Sequence, residues 1–197
     1  MVSEAMRERA LACVKPKRRP HVEGVAKTAR KLAGRWGVDP DTAEIAALLH
    51  DCTKRFDDEE QLKLCEKYGI ILSQADLESL PVLHALTGAE YARQEFGVSD
   101  EICDAIRTHT TGAAGMTLLQ QIIYLADLIE PTRDFSGVKE IRKLAGCDLQ
   151  KALISATAQT IAYVLERRQS LHPATVETYN SLLRAGQVLT KKEQDEQ

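Results

Sequence analysis

The stretch from Ala43 to Lys54, AEIAALLHDCTK, decides how this chain folds and what its core can hold. Its apolar residues recur at intervals of three and four, which is the spacing of one face of an α-helix. Alanines at 43, 46 and 47 lead along that face to His50, and Asp51 follows directly. The stretch therefore predicts a buried helix over 40–54 whose inner face ends in an imidazole and a carboxylate, with small residues leaving room beneath them.

Helical spacing recurs over most of the 197 residues, whereas alternating β-branched runs are missing and aromatic residues make up only 5%. This pattern predicts an all-α protein. Glycines, prolines and capping residues divide it into segments at 4–14, 21–36, 40–54, 57–68, 73–79, 82–96, 100–110, 116–129, 137–144, 148–168 and 174–188. The length suits one domain, 1–190, and the charged tail KKEQDEQ at 191–197 is expected to be disordered.

Composition limits the partners of this protein. No stretch approaches the roughly 18 apolar residues of a membrane span, and charges interrupt the N-terminus too often for a secretory signal. The formal net charge of −3 gives no sign of nucleic-acid binding. The five cysteines are odd in number and contain no C-x-x-C pair, so we expect packed, reduced thiols. A cytoplasmic protein without a membrane or nucleic-acid partner is predicted.

Four of the five histidines lie on apolar helical rows, at positions 21, 50, 84 and 109. His84 stands one turn before Gly88, which permits a close approach of another helix. In MTLLQQIIYLADLIE, Asp127 follows Leu119 and Ile123 at intervals of four, so its carboxylate is expected to be buried. Polar side chains thus point inward on several different helices.

Such inward polar groups require partners, because burying an isolated charge is very costly. A single histidine on an apolar row is usually a satisfied core residue, but a generic helical core has no reason to collect four of them with two aspartates. Imidazole and carboxylate ligands without thiolates suit iron, manganese, zinc or cobalt in an open catalytic site. The candidate metal ligands are His21, His50, Asp51, His84, His109 and Asp127.

The order of these residues resembles the H…HD…H…H…D signature of HD-domain phosphohydrolases. More narrowly, the elements RPHVEGV, LLHDCTK, PVLHALTGAEYA, AIRTHTTG and ADLIEPTRDFSGV resemble the YqeK family of bacterial symmetrical diadenosine tetraphosphate hydrolases, over about residues 15–180. The resemblance implies an HD fold with a metal-binding core at about 18–135 and C-terminal helices at 137–188 that complete the pocket. It also implies one or two iron ions, with manganese or cobalt as substitutes, and cleavage of the dinucleotide into two ADP.

The resemblance further implies how the ligands divide. By position, His21, His50, Asp51 and Asp127 would be the primary metal ligands. His84 and His109 would either hold a second metal or contact phosphate, and a two-metal site bridged by Asp51 is the interpretation we favour. Both alternatives stay open on the sequence alone.

Substrate contacts are implied in the same way. Lys54, three positions after the doublet, matches a phosphate-facing lysine and would act in catalysis with Asp51, while Arg133 would offer a planar fork to phosphate oxygens. The implied substrate-binding residues are Lys54, His84, His109, Thr110, Arg133, His172 and Thr175. Tyr179 stands where the family commonly has arginine, which leaves contacts to ribose or base unassigned. The basic cluster 15–19 is either a solvated helix end or an attraction for anionic substrates.

Two other functions remain possible on the sequence. One is an HD hydrolase for another nucleotide, such as a nucleoside monophosphate, a deoxynucleoside triphosphate or guanosine tetraphosphate. The other is a nucleotide-binding regulatory domain without turnover. Product analysis separates the first, because only symmetrical cleavage yields two ADP, and turnover with Fe(II) or Mn(II) separates the second. The sequence leaves a homodimer possible.

Overall fold

The computed structural model describes residues 2–195, and the surroundings of side chains up to residue 186, and its regular structure there is helical throughout. The α-helices are α1 Glu4–Ala12, α2 Arg19–Trp36, α3 Pro40–Leu49, α4 Asp58–Lys67, α5 Gln74–Glu78, α6 Leu83–Phe96, α7 Asp100–Thr108, α8 Leu118–Ile129, α9 Val138–Ala145, α10 Leu149–Glu166 and α11 Pro173–Asp195. The all-α prediction is confirmed. The disorder predicted for 191–197 falls on residues whose side chains lie outside the described part, and it stays a prediction.

The core lies where α2, α3, α7 and α8 pack against one another. Ala43, Ala46 and Ala47 are fully buried there, as are Leu48 and Leu49 beside them. Helix α6 packs on α7 and α4, while α10 contacts α8, α9 and α11. Small residues on α3 let the neighbouring helices approach closely. As a result, the polar residues at the end of α3, His50 and Asp51, lie in the middle of the molecule.

The helix predicted over 40–54 ends earlier, at Leu49. The Nδ1 atom of His50 donates to the Ala47 carbonyl at 2.6 Å. A continued helix would need that carbonyl for the backbone N–H of Asp51, so the side chain competes with the helix and stops it. Turn hydrogen bonds follow, including the one from the Lys54 N–H to the Asp51 carbonyl. Asp51 and Lys54 therefore lie in a turn, and the prediction that placed them on a helix is wrong.

Helix α7 ends in the same manner. It was predicted to reach residue 110 but stops at Thr108, and the Nδ1 atom of His109 donates to the Ile106 carbonyl at 2.7 Å. His21 and His84 stand instead in the first turns of α2 and α6, and Asp127 in the last turn of α8. The polar residues predicted to face inward therefore all lie at or near helix ends, where they do not interrupt the apolar packing of the helix middles.

The C-terminal helices are held by polar contacts as well as by packing. The indole N–H of Trp36 donates to the Ala145 carbonyl at 3.0 Å, and the Thr178 hydroxyl donates to the Thr111 carbonyl at 3.1 Å. Gly112 beside it has a φ of 68°, and a Cβ there would lie 2.6 Å from the Thr178 side chain. Within residues 2–195, no helix combines the length and apolar character needed to cross a bilayer.

Candidate metal centre

The six predicted ligands meet in one cluster, with the Asp51 carboxylate between two pairs of imidazoles. Its Oδ2 atom lies 3.2 Å from Nε2 of His50 and 3.7 Å from Nε2 of His21. Its Oδ1 atom lies 3.2 Å from Nε2 of His84 and 3.9 Å from Nε2 of His109. Helix ends that are far apart in the sequence thus bring four imidazole nitrogens to one carboxylate.

Asp127 completes the cluster on the side of His21. Its Oδ1 atom lies 3.1 Å from Nε2 of His21 and 4.0 Å from Nε2 of His50. The sequence predicted a buried carboxylate, and the side chain is mostly buried, with 18% exposed where a cavity opens beside it. This position suits a functional role, since a ligand at the edge of a cavity can bring a cation into contact with a substrate.

The hydrogen bonds of two imidazole rings fix which nitrogen carries the proton. A carbonyl oxygen can only accept, so the Nδ1 atom that faces it must be the donor, and the neutral ring then keeps its lone pair on Nε2. The acceptors are the carbonyls of Ala47 and Ile106, at 2.6 and 2.7 Å from Nδ1 of His50 and His109. The Nε2 lone pairs of these rings point into the centre.

This arrangement fits a divalent cation. The Nε2 atoms of His84 and His109 lie 3.1 Å apart, and those of His21 and His50 lie 3.4 Å apart. The buried Oδ1 atom of Asp51 accepts no hydrogen bond from any residue that the structure describes. Two sets of ligand atoms lie within 4.8 Å of one another, namely His21 with His50 and Asp127, and His50 with Asp51 and His109. Converging lone pairs and an unsatisfied carboxylate oxygen are the donors that a first-row divalent metal prefers.

The pKa shifts keep most of these groups in the form that binds metal. Burial by itself would raise the pKa of Asp51, but His50 and His84 beside it hold that pKa well below its ordinary value. Burial lowers the pKa of His84, and burial with the two neighbouring imidazoles lowers that of His109 to about 3. His50 differs, because the attraction of Asp51 outweighs its burial and raises its pKa. Ionised carboxylates and neutral imidazoles are the species that coordinate metals.

Three cationic side chains flank the cluster. The Arg133 guanidinium donates from Nη2 to Oδ1 of Asp127 at 2.6 Å, and Arg18 donates to Oδ2 of Asp51. Lys54 lies on another side, where its Nζ atom is 3.2 Å from the Pro81 carbonyl, to which it donates, and 2.9 Å from Nδ1 of His84. Nδ1 of His84 thus faces a donor as well as the Pro81 carbonyl, and that carbonyl alone does not fix the proton of this ring. Positive charge therefore surrounds the place where phosphate oxygens would approach the centre.

A cavity of about 640 Å³ opens on the side of Asp127, between α8, the loop after it and α10. The predicted site residues that line it are His21, His109, Thr110, Asp127 and Arg133, together with Arg18 of the basic cluster. The Thr110 hydroxyl is buried and has no hydrogen-bond partner among the described residues. Gln159, Thr160 and Tyr163 form the wall on α10. Sequence reasoning missed them because nothing in the pattern of α10 distinguishes residues that face a cavity from residues that face solvent.

Four predicted substrate contacts lie elsewhere. The residues Lys54, His84, His172 and Thr175 do not line this cavity. The Nε2 atom of His172 lies 3.3 Å from Oδ1 of Asp76, and its Nδ1 atom accepts from the backbone N–H of Ala174. Thr175 is buried in the first turn of α11. The structure places these two residues where α11 begins, and their contact with substrate stays a prediction.

Sequence reasoning also missed Glu130, although the segment ADLIEPTR contains it. The side chain is fully buried, and its Oε1 atom lies 3.0 Å from Nδ1 of His21. A signal was present, because Glu130 stands three residues after Asp127, a spacing that places two side chains on the same face of a helix. The thiol of Cys52, next to Asp51, is fully buried, and burial raises its pKa, as expected of a packed, reduced thiol.

Comparison with known proteins agrees with this centre. A model of the HD domain family matches residues 18–132, which include all six predicted ligands. The chain is 44% identical over 182 residues to the symmetrical bis(5'-nucleosyl)-tetraphosphatase of Bacillus subtilis (strain 168), covering 90% of this chain and 97% of that protein. The protein of the same name from Halalkalibacterium halodurans is also 44% identical, over 184 residues, with the same coverage.

A solved structure has the same fold. The crystal structure of a predicted HD superfamily hydrolase involved in NAD metabolism from Clostridium acetobutylicum superposes with a TM-score of 0.88 at 38% sequence identity. The match covers 94% of this chain and 99% of that one. With its all-helical fold, its His/Asp centre and a family match over more than half of its length, this chain belongs to the HD domain family.

Proposed function

We propose that this protein is a metal-dependent symmetrical bis(5'-nucleosyl)-tetraphosphatase, which hydrolyses diadenosine tetraphosphate to two ADP. The observation that carries the proposal is the convergence of imidazole lone pairs and ionised carboxylates at the edge of a large cavity flanked by cations. Relatives with this name match the chain at 44% identity over nearly their whole length. A cytoplasmic location and a homodimer remain predictions from the sequence.

The ligands divide into two groups around Asp51. His21, His50 and Asp127 would hold one cation together with Oδ2 of Asp51, and His84 and His109 would hold a second together with Oδ1. The metal is proposed to be iron, with manganese or cobalt able to substitute. When bound, such cations acidify water to give a nucleophile near neutral pH and neutralise phosphate charge.

The other residues of the site act on the substrate. Phosphoryl transfer depends mainly on positioning and on charge neutralisation, so Arg133 and Lys54, on different sides of the centre, would each bind part of the polyphosphate. The Thr110 hydroxyl, which lacks a partner, is available to donate to a phosphate or ribose oxygen in the cavity. Symmetrical cleavage requires the central phosphoanhydride to lie at the metal centre, so we propose that one ADP half occupies the cavity.

The test is product analysis. Purified protein loaded with Fe(II) or Mn(II) under reducing conditions is incubated with diadenosine tetraphosphate, and the nucleotides are separated by ion-exchange chromatography. ADP as the single product supports the proposal, whereas equal amounts of AMP and ATP overturn it. Deoxynucleoside triphosphates, guanosine tetraphosphate and NAD belong in the same assay. NAD is included because the Clostridium relative is described as involved in its metabolism.

Replacing the shared carboxylate tests the metal centre directly. Asp51→Ala is expected to abolish both metal binding and hydrolysis, because this carboxylate lies within 4 Å of all four imidazoles. Circular dichroism should show nearly unchanged helical content, since Asp51 lies in a turn. Asp104→Ala, which removes an exposed carboxylate on α7, is the control and should keep metal and activity. Normal turnover in Asp51→Ala would contradict the metal-centre interpretation.

A further inference from the structure

His21 is held differently from the other three imidazoles of the centre. The Nδ1 atoms of the other three lie 2.6 to 2.7 Å from backbone carbonyls, whereas Nδ1 of His21 faces the side chain of Glu130 at 3.0 Å. We infer that Glu130 is a positioning residue that fixes His21 as a metal ligand, and that Gly24 and Thr132 fix Glu130 in turn. This inference rests on the metal centre of the proposed function.

Both oxygens of Glu130 act as acceptors. The backbone N–H of Thr132 donates to Oε2 at 2.7 Å, and the Thr132 hydroxyl lies 2.5 Å from Oε1 and donates to it. Nδ1 of His21 lies 3.0 Å from Oε1. A fully buried carboxylate in this position favours the His21 proton on Nδ1, which leaves Nε2 to bind a cation beside Asp127 and Asp51.

The position of this carboxylate depends on a glycine of α2. A Cβ atom at Gly24 would lie 2.6 Å from Oε2 of Glu130. Gly24 follows His21 by three residues, so the two lie on the same face of the helix. The missing side chain therefore leaves the space that Glu130 occupies when it reaches His21. The structure gives a specific reason for glycine in the middle of α2, where alanine would favour the helix more.

An amide cannot replace this carboxylate. Glutamine at position 130 has one acceptor oxygen and one NH₂ group, which must face either the Thr132 N–H or Nδ1 of His21. In the first orientation the NH₂ group of glutamine faces another donor, the Thr132 N–H. In the second orientation the NH₂ group donates to Nδ1 of His21, so the His21 proton moves to Nε2 and the lone pair is lost from the centre. Glu130→Gln therefore keeps the size of the side chain but disrupts the His21 ligand.

Two variants test the inference from opposite directions. Glu130→Gln removes the charge and keeps the shape, while Gly24→Ala keeps every charged group and displaces the carboxylate. Glu44→Gln is the matched control, because Glu44 is also a buried carboxylate, 2% exposed, but is paired with Arg30 and Arg7 away from the centre. All variants are compared as full-length, metal-free protein of verified helical content.

The first readout is the dissociation constant for Mn(II) alone, measured from free Mn(II) by electron paramagnetic resonance. Loss of a residue that orients a ligand typically weakens metal binding by about 10- to 100-fold. We expect that weakening in Glu130→Gln and in Gly24→Ala, and an unchanged constant in Glu44→Gln. Wild-type affinity in both test variants, or equal weakening in the control, would overturn the inference.

The second readout is the protonated nitrogen of His21, observed in metal-free protein by long-range ¹H–¹⁵N NMR. Wild type should show the Nδ1–H form, and Glu130→Gln should lose it, a change that a merely structural residue would not cause. Should Glu130→Gln not fold, Gly24→Ala carries the test. If wild type binds no Mn(II), the metal centre of the proposed function is wrong. If wild type and Glu130→Gln both show the Nδ1–H form, only the inferred role of Glu130 is refuted.

Discussion

Arg133 lies between a proposed metal ligand, Asp127, and the cavity. Its guanidinium donates to the side chain and to the backbone carbonyl of Asp127, at 2.6 and 2.9 Å, and its side chain is 36% exposed to the cavity. Removing this positive charge from beside a metal ligand cannot weaken the attraction of that ligand for a cation. A loss of activity without a loss of metal would therefore indicate a contact with phosphate.

We predict that Arg133→Ala lowers kcat/KM for diadenosine tetraphosphate by about 10- to 100-fold, since a charge-assisted hydrogen bond contributes about 1.5–3 kcal/mol. Arg133→Lys should fall between alanine and wild type, because an ammonium cannot grip two oxygens in one plane. Steady-state hydrolysis and metal content are measured on the same samples. Wild-type efficiency in Arg133→Ala, or metal lost in parallel with activity, would show that this role is wrong.

At the scale of helices, the end of α8 determines where Asp127, Glu130 and Arg133 lie. Arg142 on α9 donates to three carbonyls there, those of Ile129, Glu130 and Arg133, at 2.8, 2.7 and 2.8 Å. Carbonyls at a helix C-terminus have no partner within the helix, so a cation from a neighbouring helix satisfies them and orders the turn that follows.

We predict that Arg142→Ala lowers the free energy of unfolding by about 1.5–3 kcal/mol, the range for hydrogen bonds to a charged group. It should also reduce hydrolysis, because the turn that holds Glu130 and Arg133 loses its support. Urea unfolding of metal-free protein gives the first quantity. The neighbouring Lys143→Ala removes an exposed cation from the same helix turn and should stay within about 0.5 kcal/mol of wild type. Equal effects of the two variants would contradict this account of α8.

The helices themselves were largely predictable, because each apolar row and its glycine or proline boundary are written in consecutive residues. The end of α3 was not. The prediction extended this helix past His50 to Lys54, and only the bond from the His50 side chain to the Ala47 carbonyl shows that the helix stops at Leu49. The same limit hid the tautomers of the histidines, since the acceptors at Nδ1 belong to helix ends that sequence spacing places only to within about 2–4 residues.

At the scale of the whole molecule, the sequence indicated which residues form the centre but not where the cavity lies. Residues far apart along the chain line that cavity, from Arg18 before α2 to Tyr163 on α10. Tyr163 is 51% exposed, and nothing in the sequence distinguishes it from an ordinary surface residue. The ligands were recognisable because polar groups on apolar rows are unusual, whereas polar groups on a half-exposed helix are common and give no signal.

Stability of the whole protein should depend on pH through the same imidazoles. In the fold the pKa of His109 is lowered from its ordinary 6.5 to about 3, and that of His84 is also lowered. Between these values the unfolded chain binds more protons than the native protein. The stability that comes from burying these imidazoles in their neutral form is therefore complete above pH 6.5 and is lost as the pH falls toward 3. His50, whose pKa is raised, acts in the opposite direction but above pH 6.5, so it does not offset this loss. Lowered pKa values of Asp51 and Asp127 matter only below their ordinary 3.8.

We therefore predict that the free energy of unfolding of metal-free protein decreases between pH 6.5 and pH 4.5, with a slope of up to about 1.4 kcal/mol per pH unit for each excess proton. His109→Gln cannot titrate but can still donate to the Ile106 carbonyl, so its slope should be smaller over the same window. A divalent cation at about 100 times its dissociation constant should add about 2.7 kcal/mol near neutral pH. That addition should shrink as the pH falls, because protons compete with the cation for Nε2. Urea unfolding at four pH values, with and without Mn(II), measures each quantity. Identical slopes in wild type and His109→Gln would mean that this buried imidazole does not couple the fold to pH.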